Sequence, residues 1–146
     1  MKQEINRFTV RFPSKSANES FARSAAAAFC AQLDPTLDEL GDIRTAVSEA
    51  VTNAVVHGYR DCIGTVVMTV RLLEDSVVEI KIADKGVGIP DIEAARQPMF
   101  TTGGAERSGM GFTIMESFMD ELKVKSRPGQ GTTVTMKKRL NTRRYK

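Results

Sequence analysis

The sequence predicts an α/β fold, a two-layer sandwich with helices on one face of a mixed, mostly antiparallel sheet. Segments of period two alternate with segments of helical period in the order β-α-α-β-β-α-α-β-β, with no internal repeat. Two pairs of strand-like segments are joined by short turns, at 74–76 and 127–131, so each pair reads as a hairpin. A length of 146 residues suits one domain with a core of its own, spanning 1–146, with a basic tail from about 137.

The elements follow in order. Residues 5–12, INRFTVRF, alternate apolar and polar and form the first strand, which Pro13 ends. Ser16 or Asn18 can cap a helix running to about Leu33, with Phe21, Ala25, Ala28, Phe29 and Leu33 as its inner stripe. The alanine run 25–28 favours helix and permits close packing. Thr36 is an N-cap for a longer helix, with Asp38 and Glu39 complementing the dipole in its first turn. Its buried stripe is Ile43, Val47, Ala50 and Ala54, and it ends near Gly58-Tyr59. Strands 65–73 and 77–83 form the first hairpin. Pro90-Asp91 start a short helix through Ala95. Residues 96–108, RQPMFTTGGAERS, have no period, and a stretch of that length inside a compact domain reads as a functional loop. Helix 109–120 and strands 121–126 and 132–139 complete the chain.

Three polar clusters interrupt this apolar scheme. Glu49 and Asn53 lie four apart, hence on one helix face, within an Ala- and Val-rich run where unpaired polar groups are costly. Asp84-Lys85-Gly86-Val87-Gly88 ends a strand as D-x-G-x-G, where glycines let a ligand approach the backbone. Ser108-Gly109-Met110-Gly111 opens a helix, whose free N–H groups and positive dipole end suit phosphate. Taken singly, these motifs read as a solvated helix face, a hairpin and a helix start. Their joint order and spacing set them apart.

E-x-x-x-N-A-x-x-H-G, then D-x-G-x-G, then G-x-G at a helix start, resembles the ATP site of the gyrase/chaperone/histidine-kinase/mismatch-repair (GHKL) superfamily. Within it, NESFAR (18–23), AQLDPTLDEL (31–40), SEAVTNAVVHGY (48–59) and RSGMGFTIMESFMD (107–120) resemble the sporulation anti-sigma-F factors, which are serine/threonine kinases. The likeness runs from about Ser16 to Thr133 and implies a histidine-kinase-like ATPase domain. It also implies ATP and Mg²⁺ as cofactors, a sigma factor as partner, an anti-anti-sigma protein as phosphorylation substrate, and a homodimer. The sheet edge at 5–12 is the candidate dimer interface.

By this resemblance Glu49 is the general base and Asn53 the Mg²⁺ ligand, roles that an acceptor carboxylate and a neutral amide oxygen can fill. Asp84 accepts from the adenine amino group, and Gly86 and Gly88 let the backbone pass close to the base. Arg107, Ser108, Gly109, Met110 and Gly111 serve the phosphates. Thr133 matches the hydroxyl that supports the adenine-binding Asp. Arg23, unfavourable to its own helix dipole, matches an arginine that contacts both protein partners. Thr101 and Thr102 belong to a lid over the nucleotide. The lid departs from the family pattern: Gly103-Gly104-Ala105 stand where relatives carry a longer insert with Lys-Pro.

Composition excludes several other classes. There is no run of about 18 apolar residues and no signal-peptide core, which predicts a cytoplasmic protein. Cys30 and Cys62 lack C-x-x-C spacing and read as buried thiols. The net charge of +3 is concentrated at the end: KKRLNTRRYK holds six basic groups, and the first 136 residues carry 15 basic and 18 acidic, a net −3. With an acidic body, direct DNA binding is not expected. His57 is the only histidine, which excludes a histidine-rich metal site, and nothing in the sequence supports a Ser-His-Asp triad. Three alternatives remain open: a stress-response-type anti-sigma kinase, a non-catalytic ATP-gated module, and a detached histidine-kinase ATP domain.

Overall fold

The computed structural model describes residues 2–59, 62–86 and 110–140. Five strands form one sheet: β1 (Glu4–Pro13), β2 (Thr65–Leu73), β3 (Val77–Asp84), β4 (Glu121–Arg127) and β5 (Gly131–Arg139). Their spatial order is β1-β2-β3-β5-β4, and all four pairings are antiparallel. Among the described residues every pairing of the sheet is therefore antiparallel, in line with the mostly antiparallel sheet expected. The chain leaves β3, returns as an edge strand and turns back through a hairpin, which inserts β5 antiparallel beside β3.

Among the described residues three α-helices cover one face: α1 (Ala17–Cys30), α2 (Leu37–Asn53) and α3 (Met110–Phe118). The strands feed the core through alternate residues, including Met68, Val70, Ile80, Ile82, Val134 and Met136. α2 adds Ile43, Val47, Ala50, Val51 and the following Ala54, and α3 adds Phe112, Met115 and Met119 just beyond its end. Each of the larger side chains contributes roughly 1.5–3 kcal/mol by leaving water. The expected α2 stripe is thus the buried one.

α2 starts with a reciprocal cap. The Glu39 N–H donates to Thr36 Oγ1 at 3.1 Å, and the Thr36 N–H donates to Glu39 Oε1 at 2.8 Å. α1 is less sharply defined. Ser16 makes no side-chain cap bond, and Asn18 lies inside the helix, donating to the Pro13 carbonyl at 2.9 Å. A 3-10 turn, Ala31–Leu33, follows α1 and ends at left-handed Asp34.

The buried stripe of α1 is Ala22, Ala26, Ala27 and Cys30, whereas Phe21 is 52% exposed and Ala28 is exposed. Ala25, Phe29 and Leu33 of the expected stripe do pack, partly buried, against the core, so only Phe21 and Ala28 depart from it. The alanine run offers no size contrast by which to place the centre of the stripe. Of the two thiols only Cys30 is buried, and desolvation pushes it up to about 12. Cys62 is exposed, on the connection into β2, so its apolar neighbours do not mark a core position.

On the sheet face away from the helices, charges cross the strands in register. Arg71 bonds Glu4 (2.6 Å) and Glu79 (2.7 Å), Glu79 also meets Lys137 (3.7 Å), and Arg7 joins at Glu4 (2.7 Å). Hydrogen bonds from Arg7 and then Arg71 hold the Glu4 carboxyl down at about 2. Among the described residues no helix is long and apolar enough to cross a membrane.

Candidate functional site

α2 does not stop at Asn53. It continues as a π-helical turn, Ala54–Gly58, closed by the Tyr59 N–H donating to the Ala54 carbonyl at 3.2 Å. Such wide turns are rare and concentrate at functional sites. This turn delivers Gly58 against the end of β3: a Cβ at Gly58 would begin 2.9 Å from Cγ and Oδ1 of Asp84. Gly86 passes so close to the Gly58 carbonyl that a side chain there would overlap it. His57 sits half-buried in the same turn.

Asp84 is 8% exposed. Burial pushes its carboxyl up from the usual range, opposed by backbone N–H groups of Gly86 and Thr132 that favour the anion. The Gly86 N–H lies 2.9 Å from Oδ1. Gly131, at φ 95°, runs so close to the Asp84 carbonyl that any other residue would collide with it. Tyr59 fixes the next residue along. Its hydroxyl accepts from the Lys85 N–H at 2.7 Å and donates to the Thr65 carbonyl at 2.9 Å.

Glu49 and Asn53, both half-buried on α2, face the first turn of α3. A Cβ at Gly111 would stand 3.3 Å from each terminal atom of the Asn53 amide and 3.4 Å from Glu49 Oε1. Gly111 therefore leaves room above a carboxylate and a carboxamide, beside a helix N-terminus where backbone N–H groups lack partners within the helix. The arrangement is a proton acceptor, a neutral oxygen donor and a positive dipole end in one place.

Of the sequence-predicted residues, Glu49, Asn53 and Gly111 come together, and Asp84 and Gly86 meet one turn further on, beside Gly58 at the end of the π-helical turn. Met110 opens α3. Gly88, Thr101, Thr102, Arg107, Ser108 and Gly109 lie outside the described residues, as do the short helix 90–95 and the lid 96–108. Arg23 projects from α1, 41% exposed and 3.1 Å from Glu19.

Thr133 is not beside the Asp84 carboxyl. It pairs with Ala83 and shares that residue's face of the sheet, while Thr132 pairs with Asp84 and is buried on the helix side. Paired residues share a face and neighbours alternate, so the hydroxyl on the Asp84 side is that of Thr132. Thr132, Gly58 and Tyr59 are the residues that sequence reasoning missed. The doubled threonine after Gly131 and the Gly-Tyr closing the polar helix were the available signals.

The family model for the histidine kinase-like ATPase domain matches residues 12–138. The chain belongs to that family. This ATPase domain is 57% identical over 136 residues to an anti-sigma F factor of Geobacillus kaustophilus, covering 92% of this chain and 93% of that protein. It is 53% identical over 140 residues to an anti-sigma F factor of Caldanaerobacter subterraneus subsp. tengcongensis, covering 95% and 97%. Among solved structures, it superposes on the RsbU and RsbW domains of a Mycobacterium tuberculosis protein with a TM-score of 0.67 at 21% identity. That match covers 93% of this chain and 32% of the other. A blue-light activated histidine kinase domain from Erythrobacter litoralis gives 0.55 at 22% identity, covering 88% and 62%. At such identities these two likenesses carry the fold alone. The family's ligand is ATP.

Proposed function

We propose that this chain is an anti-sigma factor that binds and inhibits a sporulation RNA polymerase sigma factor of sigma-F type. In the same reading it phosphorylates a serine of its anti-anti-sigma antagonist, using ATP. The observation that carries the enzymatic half is the convergence of Glu49 and Asn53 on Gly111. The partner half rests on the anti-sigma F factors to which the chain is more than half identical.

Phosphoryl transfer needs position, charge neutralisation and a proton acceptor more than covalent chemistry. Asp84 takes the adenine amino group, and the phosphates lie at the α3 N-terminus, where N–H groups and the dipole favour anions. The donor set fits Mg²⁺, which binds through one or two protein oxygens plus substrate phosphates; Asn53 Oδ1 is that protein oxygen. Bound there, the ion supplies charge neutralisation on the phosphates. Glu49 accepts the hydroxyl proton of the incoming serine as its oxygen takes the phosphoryl group and ADP departs. Arg107, Ser108, Gly109, Met110, Gly88 and the lid threonines Thr101 and Thr102 complete the nucleotide's surroundings in this reading.

Arg23, its side chain 41% exposed on α1, is the proposed partner-binding residue. The protein acts as one domain in the cytoplasm and as a homodimer through the β1 edge, whose outer backbone groups have no sheet partner within the described residues.

The test mixes the protein, Mg-ATP labelled on the γ-phosphate and the anti-anti-sigma protein of the same cell. Label on an antagonist serine, absent with Glu49→Ala, is the expected result. Unlabelled antagonist with ATP still bound would leave a nucleotide-gated binding module instead.

A further inference from the structure

The edge hairpin β4–β5 carries a hydroxyl pair that the reaction as proposed does not use. Ser126, on β4, stands opposite Thr132 in the register, and their hydroxyl oxygens are 2.8 Å apart. Ser126 Oγ is also 3.0 Å from the Gly131 carbonyl. A carbonyl only accepts, so Ser126 spends its single hydroxyl proton on Gly131. The proton in the Ser126–Thr132 bond must then come from Thr132. With its own proton committed, Thr132 Oγ1 offers only lone pairs to anything else that reaches it.

The backbone keeps this relay from turning over. Gly131 is pinned at φ 95° against the Asp84 carbonyl, which fixes the acceptor that Ser126 serves. Thr132 is 9% exposed, and its backbone N–H holds the Asp84 carboxylate on the same sheet face. Asp84 and Thr132 are direct cross-strand partners, so two acceptors stand side by side at one corner of the site. A groove of about 530 Å³ runs along the hairpin itself, lined by Ser126, Arg127, Gln130, Gly131 and Thr132 among others.

We infer that Ser126 is a specificity-determining residue of the nucleotide site: it holds Thr132 Oγ1 as an obligate acceptor beside Asp84, so that this corner takes a base bearing an amino group and rejects one bearing a keto oxygen. The inference rests on the ATP-site reading given above. An amino group brings two protons on one nitrogen to the paired acceptors. A keto oxygen in its place meets lone pairs on both, and a site built to pair one hydrogen-bonding pattern strongly disfavours its inverse. Ser126 acts through Thr132 and is a positioning residue, not a catalytic one.

The experiment compares ATP with inosine triphosphate, whose base carries a keto oxygen at the position of the adenine amino group. Dissociation constants for both are measured on the full chain by calorimetry, for wild type, Ser126→Ala and Ser126→Thr. Ser126→Ala releases the Thr132 proton, which can then be donated to the keto oxygen. The ATP-over-inosine preference is expected to fall about tenfold, the scale of one hydrogen bond gained or lost. Ser126→Thr, which keeps the hydroxyl, is expected to retain it.

An unchanged preference in Ser126→Ala, or an equal loss of both nucleotides, would overturn the inference. Thr132→Ala removes the oxygen that Ser126 orients and must lose the same preference, which keeps the test open if Ser126→Ala does not fold. Wild-type protein that binds neither nucleotide would remove the ATP site itself. Wild type that prefers ATP while both alanine variants keep that preference would remove the relay alone.

Discussion

At the end of the site formed by β3 and β5, Asp84 is 8% exposed and held by main-chain N–H groups, with Gly58, Gly86 and Gly131 pressed against it. At the other end, Glu49 and Asn53 are half-buried side chains on a helix, facing the open first turn of α3. The first end is built from backbone that has no freedom to adjust. The second is built from side chains that do. Discrimination between bases calls for a fixed hydrogen-bond pattern, and transfer calls for groups that meet two changing partners. The construction of each end suits its proposed task.

The largest expected separation between the ends comes from Glu49→Ala. Serine phosphorylation should fall about 10²–10⁴-fold, the range for loss of a general base. The ATP dissociation constant should stay within a few-fold, which labelled-ATP transfer and equilibrium binding read separately. Asp84→Asn should do the reverse. ATP binding should weaken about 10- to 100-fold, for loss of a charge-assisted bond of roughly 1.5–3 kcal/mol.

Asp84→Asn also tests the cost of the buried charge. The Asp84 carboxyl is raised in the folded protein, so the fold binds its proton more tightly than the unfolded chain does. Its contribution is most favourable below the unfolded value near 3.8 and is lost as pH rises through the higher folded value. At neutral pH the nucleotide-free variant should therefore melt higher than wild type, provided the amide keeps the Gly86 contact. A lower melting temperature would mean that the two N–H bonds outweigh desolvation.

Tyr59→Phe keeps the ring and removes only the hydroxyl that joins Lys85 to Thr65. It should cost about 1–2 kcal/mol in urea unfolding, and ATP affinity should drop while the rate of transfer at saturating ATP holds. The smallest effect lies on the opposite sheet face. Glu4 is lowered to about 2, so its stabilisation is full above its unfolded value of 4.5 and is lost as pH falls through about 2. Glu4→Gln should flatten that acid limb between pH 4.5 and 2 and leave nucleotide binding untouched.

The two ends also differed in how far they could be read from sequence. Glu49 and Asn53 announce themselves because i and i+4 share a helix face, a purely local rule. Thr36 with Glu39 is local in the same way, and so is the alternation of Val78 to Ile82. The base end depends on separations that sequence does not display: Tyr59 meets Lys85 across 26 residues, and Gly58 meets Asp84 through the tertiary fold. Choosing between Thr132 and Thr133 required the β3–β5 register, since a shift of one residue reverses the face. The α1 stripe is only partly legible for a different reason: Ala25, Phe29 and Leu33 pack against the core as expected, but four consecutive alanines carry no amphipathic signal that would set Ala28 apart from Ala26 and Ala27.

The wide turn after Asn53 makes residue count a mechanical quantity in this molecule. An i→i+5 closure holds one more residue per turn than an α-helix, so Asn53 and Gly58 are indexed like two teeth on one gear. Five residues of the wide turn sweep nearly the same angle as four of an α-helix, so removing a single residue between them lets the turn close to α geometry and leaves what lies beyond almost where it was. Inserting a residue instead turns the chain beyond it by about 100°, carrying Gly58 away from Asp84 while Asn53 stays in place. A one-residue insertion, and not a deletion, is therefore the change that disengages the two ends of the site from each other.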